Sequence, residues 1–300
     1  MLMGFTRMQH DKDQDNGVRT LTPADIHRLN TRDHPRLEEG DAEAMVIQAP
    51  GLSKWHPESG EFILVTPWRH RRDIPSIAIN SAFRHEDALI EAAIESATEQ
   101  DAAAFIMLET YESRRPVFYT RNGMEKLEQI VTYEHAHPRA FLATMIERRQ
   151  RFVRLDRQNA ALGQQVLEVD HAAFPWLWWN SPEEFSSYLA LPNIDVWAGV
   201  VDDNVVSYVG FTHYRHWSHL DRIAIRPDVQ RRGYGREALH FAVELMVARG
   251  AMRVALSTQS TNPASRRLYE SVGFHPTPDH DYNVYGVILP AGRRMMDENR

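Results

Sequence analysis

The sequence predicts an α/β fold (an α+β mixed sheet) arranged as two tandem lobes, each a twisted mixed sheet flanked by helices. Short apolar stretches with strand-like alternation are separated by longer stretches with helical spacing. A length of 300 residues suits two ordinary domains, and a hydrophobic content of 43% is enough for a substantial core. The order of elements also recurs at an offset that places residue 87 on residue 237, which indicates a duplicated unit.

The composition excludes several classes of function. Without cysteine, the chain has no disulfide framework, thiolate metal site or thiol nucleophile. A net charge of −7 argues against a nucleic-acid partner and only weakly favours a cationic substrate. The N-terminal stretch lacks the apolar region of a secretory signal, and no run reaches the roughly 18 apolar residues of a membrane span. We therefore expect a cytoplasmic protein with no membrane partner.

The first half begins with a tail, residues 1–17, that we expect to be disordered, and Val18 to Ile26 reads as a short strand followed by a helix start. Apolar patterning then predicts strands at Ala44–Gln48, Glu61–Thr66, Ser76–Ile79, Ala103–Leu108 and Val131–His135. Helical spacing predicts helices at Asp87–Thr98 and Arg115–Arg121, and a helical connector at Phe141–Gln150.

The second half starts with a strand at Arg151–Arg157 and a helix at Ala160–His171. Ser181 and Pro182 favour a helix start, and a hairpin is predicted around Asp202 and Asp203. The strands of that hairpin are Asp195–Val201 and Val205–Tyr214, and a further strand covers Leu220–Ile225.

A glycine-containing segment then leads from that strand into a helix. Gln230-Arg231-Arg232-Gly233-Tyr234-Gly235 precedes an apolar helical pattern, and Arg236 adds positive charge beside Arg231 and Arg232. Glycines here allow close approach to an anion, and the first-turn N–H groups point toward it. The segment therefore predicts a phosphate or pyrophosphate site. It is not the dinucleotide fingerprint, which needs a third glycine, nor a Walker loop.

The elements after this segment narrow the interpretation. Arg253–Thr258 reads as a buried strand, and Asn262-Pro263 opens a helix as N-cap and first residue. That helix carries Arg266 and Tyr269. The combination of Gln-x-x-Gly-x-Gly after a strand, then strand, Asn, helix and Tyr-x-x-x-Gly-Phe resembles the acyl-CoA-binding half of the GNAT N-acetyltransferase superfamily, over residues 151–290.

The resemblance implies acetyl-CoA as cosubstrate and no metal. It implies that the pyrophosphate sits on the amides of residues 231–236, and that Asn262 and Arg266 belong to the cofactor site. The acetyl carbonyl would meet backbone N–H groups of Ile223, Ala224 and Ile225. Tyr269 would lie near the thioester sulfur as the general acid, unless it is only core packing.

Two residues compete for the role of general base. His219 and Asp221 lie two apart on one strand and share a face. Histidine ordinarily titrates near neutral pH, whereas an aspartate would need burial to act as a base.

Trp176 and Trp178 are candidates for the wall of the site that binds the acetyl acceptor, or else for core filling, and His213 and His216 could shape that site. A metal site at the two histidines lacks a third ligand.

The first half departs from the motif where it would bind phosphate. Gln230, Gly233 and Gly235 correspond to Asn80, Phe83 and His85, and Asn262 corresponds to Glu112, whereas Tyr119 is retained. Side chains in place of glycines would block the backbone's approach to an anion. We expect residues 18–140 to form a degenerate lobe, 141–150 a connector and 151–300 the catalytic lobe.

The sequence therefore predicts an N-acetyltransferase that moves an acetyl group to a small-molecule or peptide amine by direct attack in a ternary complex, as a monomer or homodimer. Three alternatives stay open: a non-catalytic acyl-CoA-binding regulator, a transferase for a longer acyl donor, and a structural dimerisation protein.

Overall fold

The computed structural model describes residues 16–110, 114–143 and 146–298. Packing contacts divide these into two compact units. Unit 1 comprises 16–67, 75–105 and 288–298, and unit 2 comprises the described residues of 68–74 and 106–287. The predicted tail lies outside the described residues except for its last two, and so does Glu112. Within the described part, no helix is long and apolar enough to cross a membrane.

In its described residues, unit 1 combines a sheet with three α-helices. Its strand order is β1-β2-β3-β4-β5, and β4 and β5 continue into unit 2. The strands are β1 (Arg19–Thr20), β2 (Lys54–Trp55), β3 (Phe62–Trp68), β4 (Arg71–Ser81) and β5 (Ala104–Glu109). The helices are α1 (Glu39–Gln48), α2 (Glu86–Glu99) and α9 (Pro290–Glu298).

Unit 2 is built on a mixed sheet in the order β13-β6-β11-β10-β9-β8-β7, with β12 paired to β6. Its strands are β6 (Glu125–His135), β7 (Arg151–Arg154), β8 (Ile194–Val201), β9 (Asn204–His213), β10 (Trp217–Ile225), β11 (Arg253–Gln259), β12 (His275–Pro276) and β13 (Tyr282–Ile288). Its helices are α3 (Pro116–Arg121), α4 (Pro138–Leu142), α5 (Ala160–Ala173), α6 (Pro182–Tyr188), α7 (Tyr234–Ala248) and α8 (Pro263–Ser271).

Local chemistry explains where the site-forming helices begin. Asn262 accepts a hydrogen bond from Ser265 N at 3.1 Å at the start of α8, and Ser181 accepts one from Glu184 N at 2.9 Å at the start of α6. Asp202 and Asp203 have φ of 46° and 60°, the left-handed conformation of a tight hairpin turn between β8 and β9. The predicted caps and hairpin are confirmed.

Two clusters of buried side chains cover opposite faces of the unit 2 sheet. One contains Leu220 and the apolar face of α7, from Ala238 to Met246. The other joins α5 and α6 to the sheet and contains Tyr208 and Ala224. Strand β10 borders both clusters, and it carries the residues of the candidate site.

Two sequence predictions are wrong. Ala44–Gln48 is not a strand but the end of α1, because Ala42 and Val46 are buried one helical turn apart. The helix predicted over Phe141–Gln150 ends at Leu142. The backbone N–H groups of Arg149 and Gln150 instead donate to the Glu237 carboxylate, at 2.9 and 2.7 Å.

The other predicted elements are confirmed with shifted ends, and those paired by the repeat are of the same type: α2 with α7, β5 with β11, and α3 with α8. β6, from the first half of the chain, pairs with β11 in unit 2, and α9 packs in unit 1. The two packing units therefore differ from the division into residues 18–140, 141–150 and 151–300 that the sequence predicts. That the two halves of the chain are homologous lobes stays a proposal.

Candidate active site

The site begins where the single parallel strand pair of the described unit 2 sheet separates. β10 and β11 pair in parallel from Trp217 to Leu220, and the pairing stops there although both strands continue. Arg226 N donates to Val206 O of β9 at 2.9 Å. Because N–H groups alternate in direction along a strand, those of Ile223 and Ile225 point the other way, into the gap left by β11.

A run of backbone N–H groups lies at the start of α7. Arg231 and Gly233 have φ of 60° and 90°, and a Cβ added at Gly233 would lie 2.7 Å from Nη2 of Arg149. No acceptor among the described residues pairs with the N–H groups of residues 231–235, whereas Arg236 N bonds Gly233 O. Successive unpaired N–H groups in this geometry form an anion-binding nest.

The nest is anchored by a residue that the sequence did not single out. One oxygen of the buried Glu237 carboxylate accepts both N–H groups of Arg149 and Gln150. The Arg149 side chain then donates to Arg232 O at 2.5 Å and lies 5.0 Å over the ring of Tyr234. Gln230 donates to Ile225 O at 3.0 Å, which ties the segment back to β10.

Asp221 is the centre of a hydrogen-bonded cluster on β10. Its Oδ1 lies 2.7 Å from Nδ1 of His219, and its Oδ2 accepts the hydroxyls of Tyr188 at 2.5 Å and Thr212 at 2.6 Å. With both carboxylate oxygens engaged in this way, the neutral form of the His219 ring carries its proton on Nδ1 and leaves Nε2 as the acceptor. No described residue bonds Nε2.

A β-bulge explains how these groups come to one face. The register of β10 with β9 shifts between Leu220 and Arg222. Leu220 packs with α7, but Asp221 bonds α6 and Arg222 bonds the segment after α5. A bulge places two successive side chains on the same side of the strand. The predicted shared face of His219 and Asp221 is confirmed, and Arg222 joins them.

Two guanidinium groups lie beside this cluster, one buried (Arg222) and one partly buried (Arg69). Arg222 donates to Trp178 O at 2.6 Å and Asn180 Oδ1 at 3.1 Å, and Arg69 donates to the same Asn180 oxygen. Glu184 lies 2.8 Å from Arg69. Burial lowers the pKa of Arg69 to about 10, helped by the neighbouring Arg222 charge. Burial also raises the pKa of Glu184 to about 7 despite Arg69.

Tyr269 lies on α8, the helix that Asn262 caps. It is 4% exposed, and burial raises the pKa of its phenol to about 12, against a smaller lowering effect of the hydrogen bond with Ser265. Its ring packs near Tyr133 and Phe274. The phenol therefore stays protonated at neutral pH.

These groups line one cleft of about 800 Å³ within unit 2. Of the residues selected from the sequence, those that line it are His219, Asp221, Ile223, Ala224, Ile225, Gln230, Arg231, Gly233, Gly235, Arg236, Asn262, Tyr269 and Trp178. Arg232, Tyr234 and Arg266 lie outside the lining; Arg266 donates to Tyr133 OH at 3.1 Å and to Ser260 O at 3.3 Å.

Three residues considered for the acceptor site are not brought to the cleft. His213 lies between Asp195 and Ser218, each 3.1 Å from one ring nitrogen, and burial lowers its pKa. His216 lies in the β9–β10 turn, where its carbonyl accepts Met252 N. Trp176 stacks against the guanidinium of Arg71 at 5.8 Å. These three residues are therefore left out of the proposed site.

The sequence patterns did not mark some other lining residues, among them Arg69, Arg222 and Tyr282. Arg69 belongs to a short segment of the first half of the chain that packs in unit 2, so no local motif marks it. Tyr282 lies on β13, for which no element was predicted. An arginine in the middle of the apolar strand pattern, at position 222, was the one available signal.

Residues 164–274 match the model of the Acetyltransferase (GNAT) family. The ribosomal protein bS18 alanine N-acetyltransferase of Escherichia coli (strain K12) is 39% identical over 80 residues, 24% of this chain and 54% of that enzyme. N-acetylaspartate synthetase of Homo sapiens is 28% identical over 120 residues, 38% of each chain. The chain thus spans about half or less of these curated relatives.

The likeness in fold extends further along the chain. A tandem GNAT protein from the clavulanic acid biosynthesis pathway matches 90% of this chain and 97% of its own, with a TM-score of 0.54 and 14% identity. At that identity the likeness shows the fold. Residues 164–274 thus form an acetyltransferase domain of the GNAT family, in a chain with the mixed α/β fold of a tandem GNAT protein.

Proposed function

We propose that unit 2 is an acetyl-CoA-dependent N-acetyltransferase that acts on a primary amine by direct attack in a ternary complex. The observation that carries the proposal is the presence, in one cleft, of the anion nest at 231–235 and the His219–Asp221 pair. Both curated relatives carry names of enzymes that acetylate an amino group.

The cleft fits acetyl-CoA by its donors and its shape. The nest offers five N–H groups, and Arg231 and Arg236 line the cleft beside it, so a pyrophosphate would find both hydrogen bonds and positive charge. A Cβ at Gly233 would meet the Arg149 guanidinium beside the nest. The gap between β10 and β11 leaves two N–H groups for a carbonyl oxygen.

The reaction needs one proton removed and one supplied. Acetyl-CoA supplies an acetyl group activated as a thioester. His219 Nε2 accepts a proton from the attacking amine as the C–N bond forms, and Asp221 holds the ring and stabilises its positive charge. The N–H groups of Ile223 and Ile225 stabilise the negative charge that develops on the carbonyl oxygen. Tyr269 donates its proton to the sulfur as the C–S bond breaks.

We further propose that the chain has one working site, because unit 1 fills the equivalent nest with its own carboxylate. Oε2 of Glu61 accepts the N–H groups of Phe83, Arg84 and His85 at 2.8, 2.9 and 3.0 Å, at the start of α2. Burial alone would raise the pKa of Glu61, but these bonds and His85 lower it to about 2. An ionised carboxylate thus occupies the place of a phosphate.

Acetyl transfer is tested by the release of CoA. Because the chain has no cysteine, a thiol reagent reads only the CoA that turnover releases. With acetyl-CoA and a panel of amines, we expect release that depends on the amine, with the acetylated product seen by mass spectrometry. Tight acetyl-CoA binding without release for any amine would favour a non-catalytic acyl-CoA-binding protein. Faster release of CoA from longer acyl-CoA donors would favour a transferase for a longer acyl group over an acetyltransferase.

A further inference from the structure

Three side chains that line the cleft, those of Arg69, Trp178 and Tyr282, have hydrogen-bond donor groups without a partner among the described residues. Nε of Arg69 and Nε1 of Trp178 are buried without a partner, and both side chains line the cleft. The phenol of Tyr282, which also lines it, has no hydrogen bond to any residue that the structure describes. An unpaired buried donor costs free energy that a bound acceptor atom recovers.

These donors lie next to the proposed base. Arg69 and Arg222 share the Asn180 oxygen, and Arg222 follows Asp221 directly in the chain. Burial raises the pKa of the Tyr282 phenol, and the positive charges of Arg69 and Arg222 oppose this effect only in part. Both charges therefore act on Tyr282. The three unpaired donors and the His219–Asp221 pair therefore belong to one part of the cleft.

Two guanidinium groups lie next to the unpaired donors, each near a carboxylate. Arg69 pairs with Glu184 at 2.8 Å, and Arg222 lies 3.8 Å from the fully buried Asp170. Because burial raises the pKa of Glu184 to about 7, its negative charge is incomplete at neutral pH. Arg69, whose partner Glu184 is then only partly ionised, supplies positive charge that an anionic group of the substrate can share.

We propose that the acceptor carries a carboxylate beside its amine, and that Arg69, Trp178 and Tyr282 bind this carboxylate while the amine faces His219. The inference rests on the proposed function and names its substrate class: small amino acids in place of amines without an acid group. The net negative charge of the chain favours the ammonium end of such a molecule, and the buried donors select the acid end.

The test compares acceptors that differ only in the acid group. Release of CoA is measured with the proteinogenic amino acids other than cysteine, whose own thiol would react with the reagent, with the amides of the same amino acids, and with the corresponding amines without the carboxyl group. We expect the active amino acids to exceed their amides and amines by roughly tenfold or more in kcat/KM. Peptides that present the same residue at the N-terminus serve as a fourth set, because their carboxylate lies far from the amine.

Conservative variants locate the effect. Trp178→Phe and Tyr282→Phe each remove one donor, and Arg69→Lys keeps the charge but removes Nε. Each is expected to raise the KM for the amino acid severalfold or more, with the dissociation constant of acetyl-CoA unchanged. Trp197→Phe is the matched control, because Nε1 of Trp197 is also buried without a partner but does not line the cleft. This variant is expected to behave as the parent.

The outcomes separate this inference from the proposed function. Equal or better turnover of amides, carboxyl-free amines or peptides would confirm acetyl transfer and overturn the carboxylate. Acetyl-CoA binding without acetylation of any of the amino acids would also overturn it. Absence of acetyl-CoA binding would overturn the proposed function, and this inference with it.

Discussion

Asp221 Oδ1 lies 2.7 Å from Nδ1 of His219, and the same carboxylate accepts two hydroxyls at its other oxygen. The carboxylate thereby holds the imidazole by one nitrogen and leaves the other to face the cleft. A pair of this kind has the geometry of a base and its positioning residue.

His219→Ala is expected to lower kcat by roughly 10²- to 10⁴-fold, because the amine then has no base. The dissociation constant of acetyl-CoA should stay the same, since the nest is untouched. Asp221→Asn should lower kcat less and change the pH profile of kcat, because the ring loses its negatively charged partner. If both variants lose stability but keep the kcat of the parent, His219 and Asp221 have no part in the mechanism.

Tyr269→Phe is expected to lower kcat with little effect on acetyl-CoA affinity, because it removes the proton donor and keeps the packed ring. Tyr214→Phe is the control, since Tyr214 is 47% exposed and does not line the cleft. Turnover unchanged in Tyr269→Phe would exclude the phenol as the acid.

The pH dependence of Tyr269 results from its raised pKa. With a folded pKa of about 12 against an ordinary 10.0, the folded state holds this proton more tightly. Its contribution to stability is therefore complete below pH 10 and lost as the pH rises toward 12. The absorbance difference between the parent and Tyr269→Phe should show phenolate only above pH 10. A phenolate that forms with the ordinary tyrosine pKa of 10.0 would contradict the effect of burial on Tyr269.

Much of the fold was readable from the sequence, because apolar periodicity, Asn262, Ser181 and the hairpin aspartates act locally. The cofactor nest was readable for the same reason: Gly233 is required by a local backbone conformation. The Ala44–Gln48 strand was misassigned because a short apolar run does not distinguish a buried helix end from a strand.

The acceptor end could not be predicted, because it depends on long-range packing. Arg69 reaches the cleft from the first half of the chain, and the bulge at Asp221 decides which face Arg222 occupies. Neither leaves a local pattern. The role of Glu61 was hidden in the same way, since 22 residues separate it from Phe83.

Glu61→Gln is expected to destabilise the protein by about 1–3 kcal/mol, because three N–H groups lose a charged acceptor. The stabilising effect of the parent carboxylate should be present above pH 4.5 and lost as the pH falls toward 2, since its folded pKa is lowered. Urea unfolding at several pH values measures both. Glu58→Gln, at an exposed position nearby, is the control. Equal stability of the two variants would contradict the proposal that the Glu61 carboxylate fills the nest of N–H groups at residues 83–85.

Gly235→Trp is expected to abolish acetyl-CoA binding, because the added ring fills the cleft. Gly235→Ala should bind nearly as the parent, since a Cβ there would make ordinary contacts, 3.4 Å from Leu268 and 3.6 Å from Ile225. His85→Trp, at the corresponding position of unit 1, should leave binding intact. Equal loss from the tryptophan variants at positions 235 and 85 would contradict a single site.

The stoichiometry of acetyl-CoA binding decides whether the chain has one working site, and isothermal titration of the full chain measures it, with free CoA as the control ligand. We expect one site per chain, removed by Gly235→Trp and unaffected by His85→Trp. Two sites per chain would show that Glu61 does not close unit 1, and no binding would contradict the acetyltransferase itself.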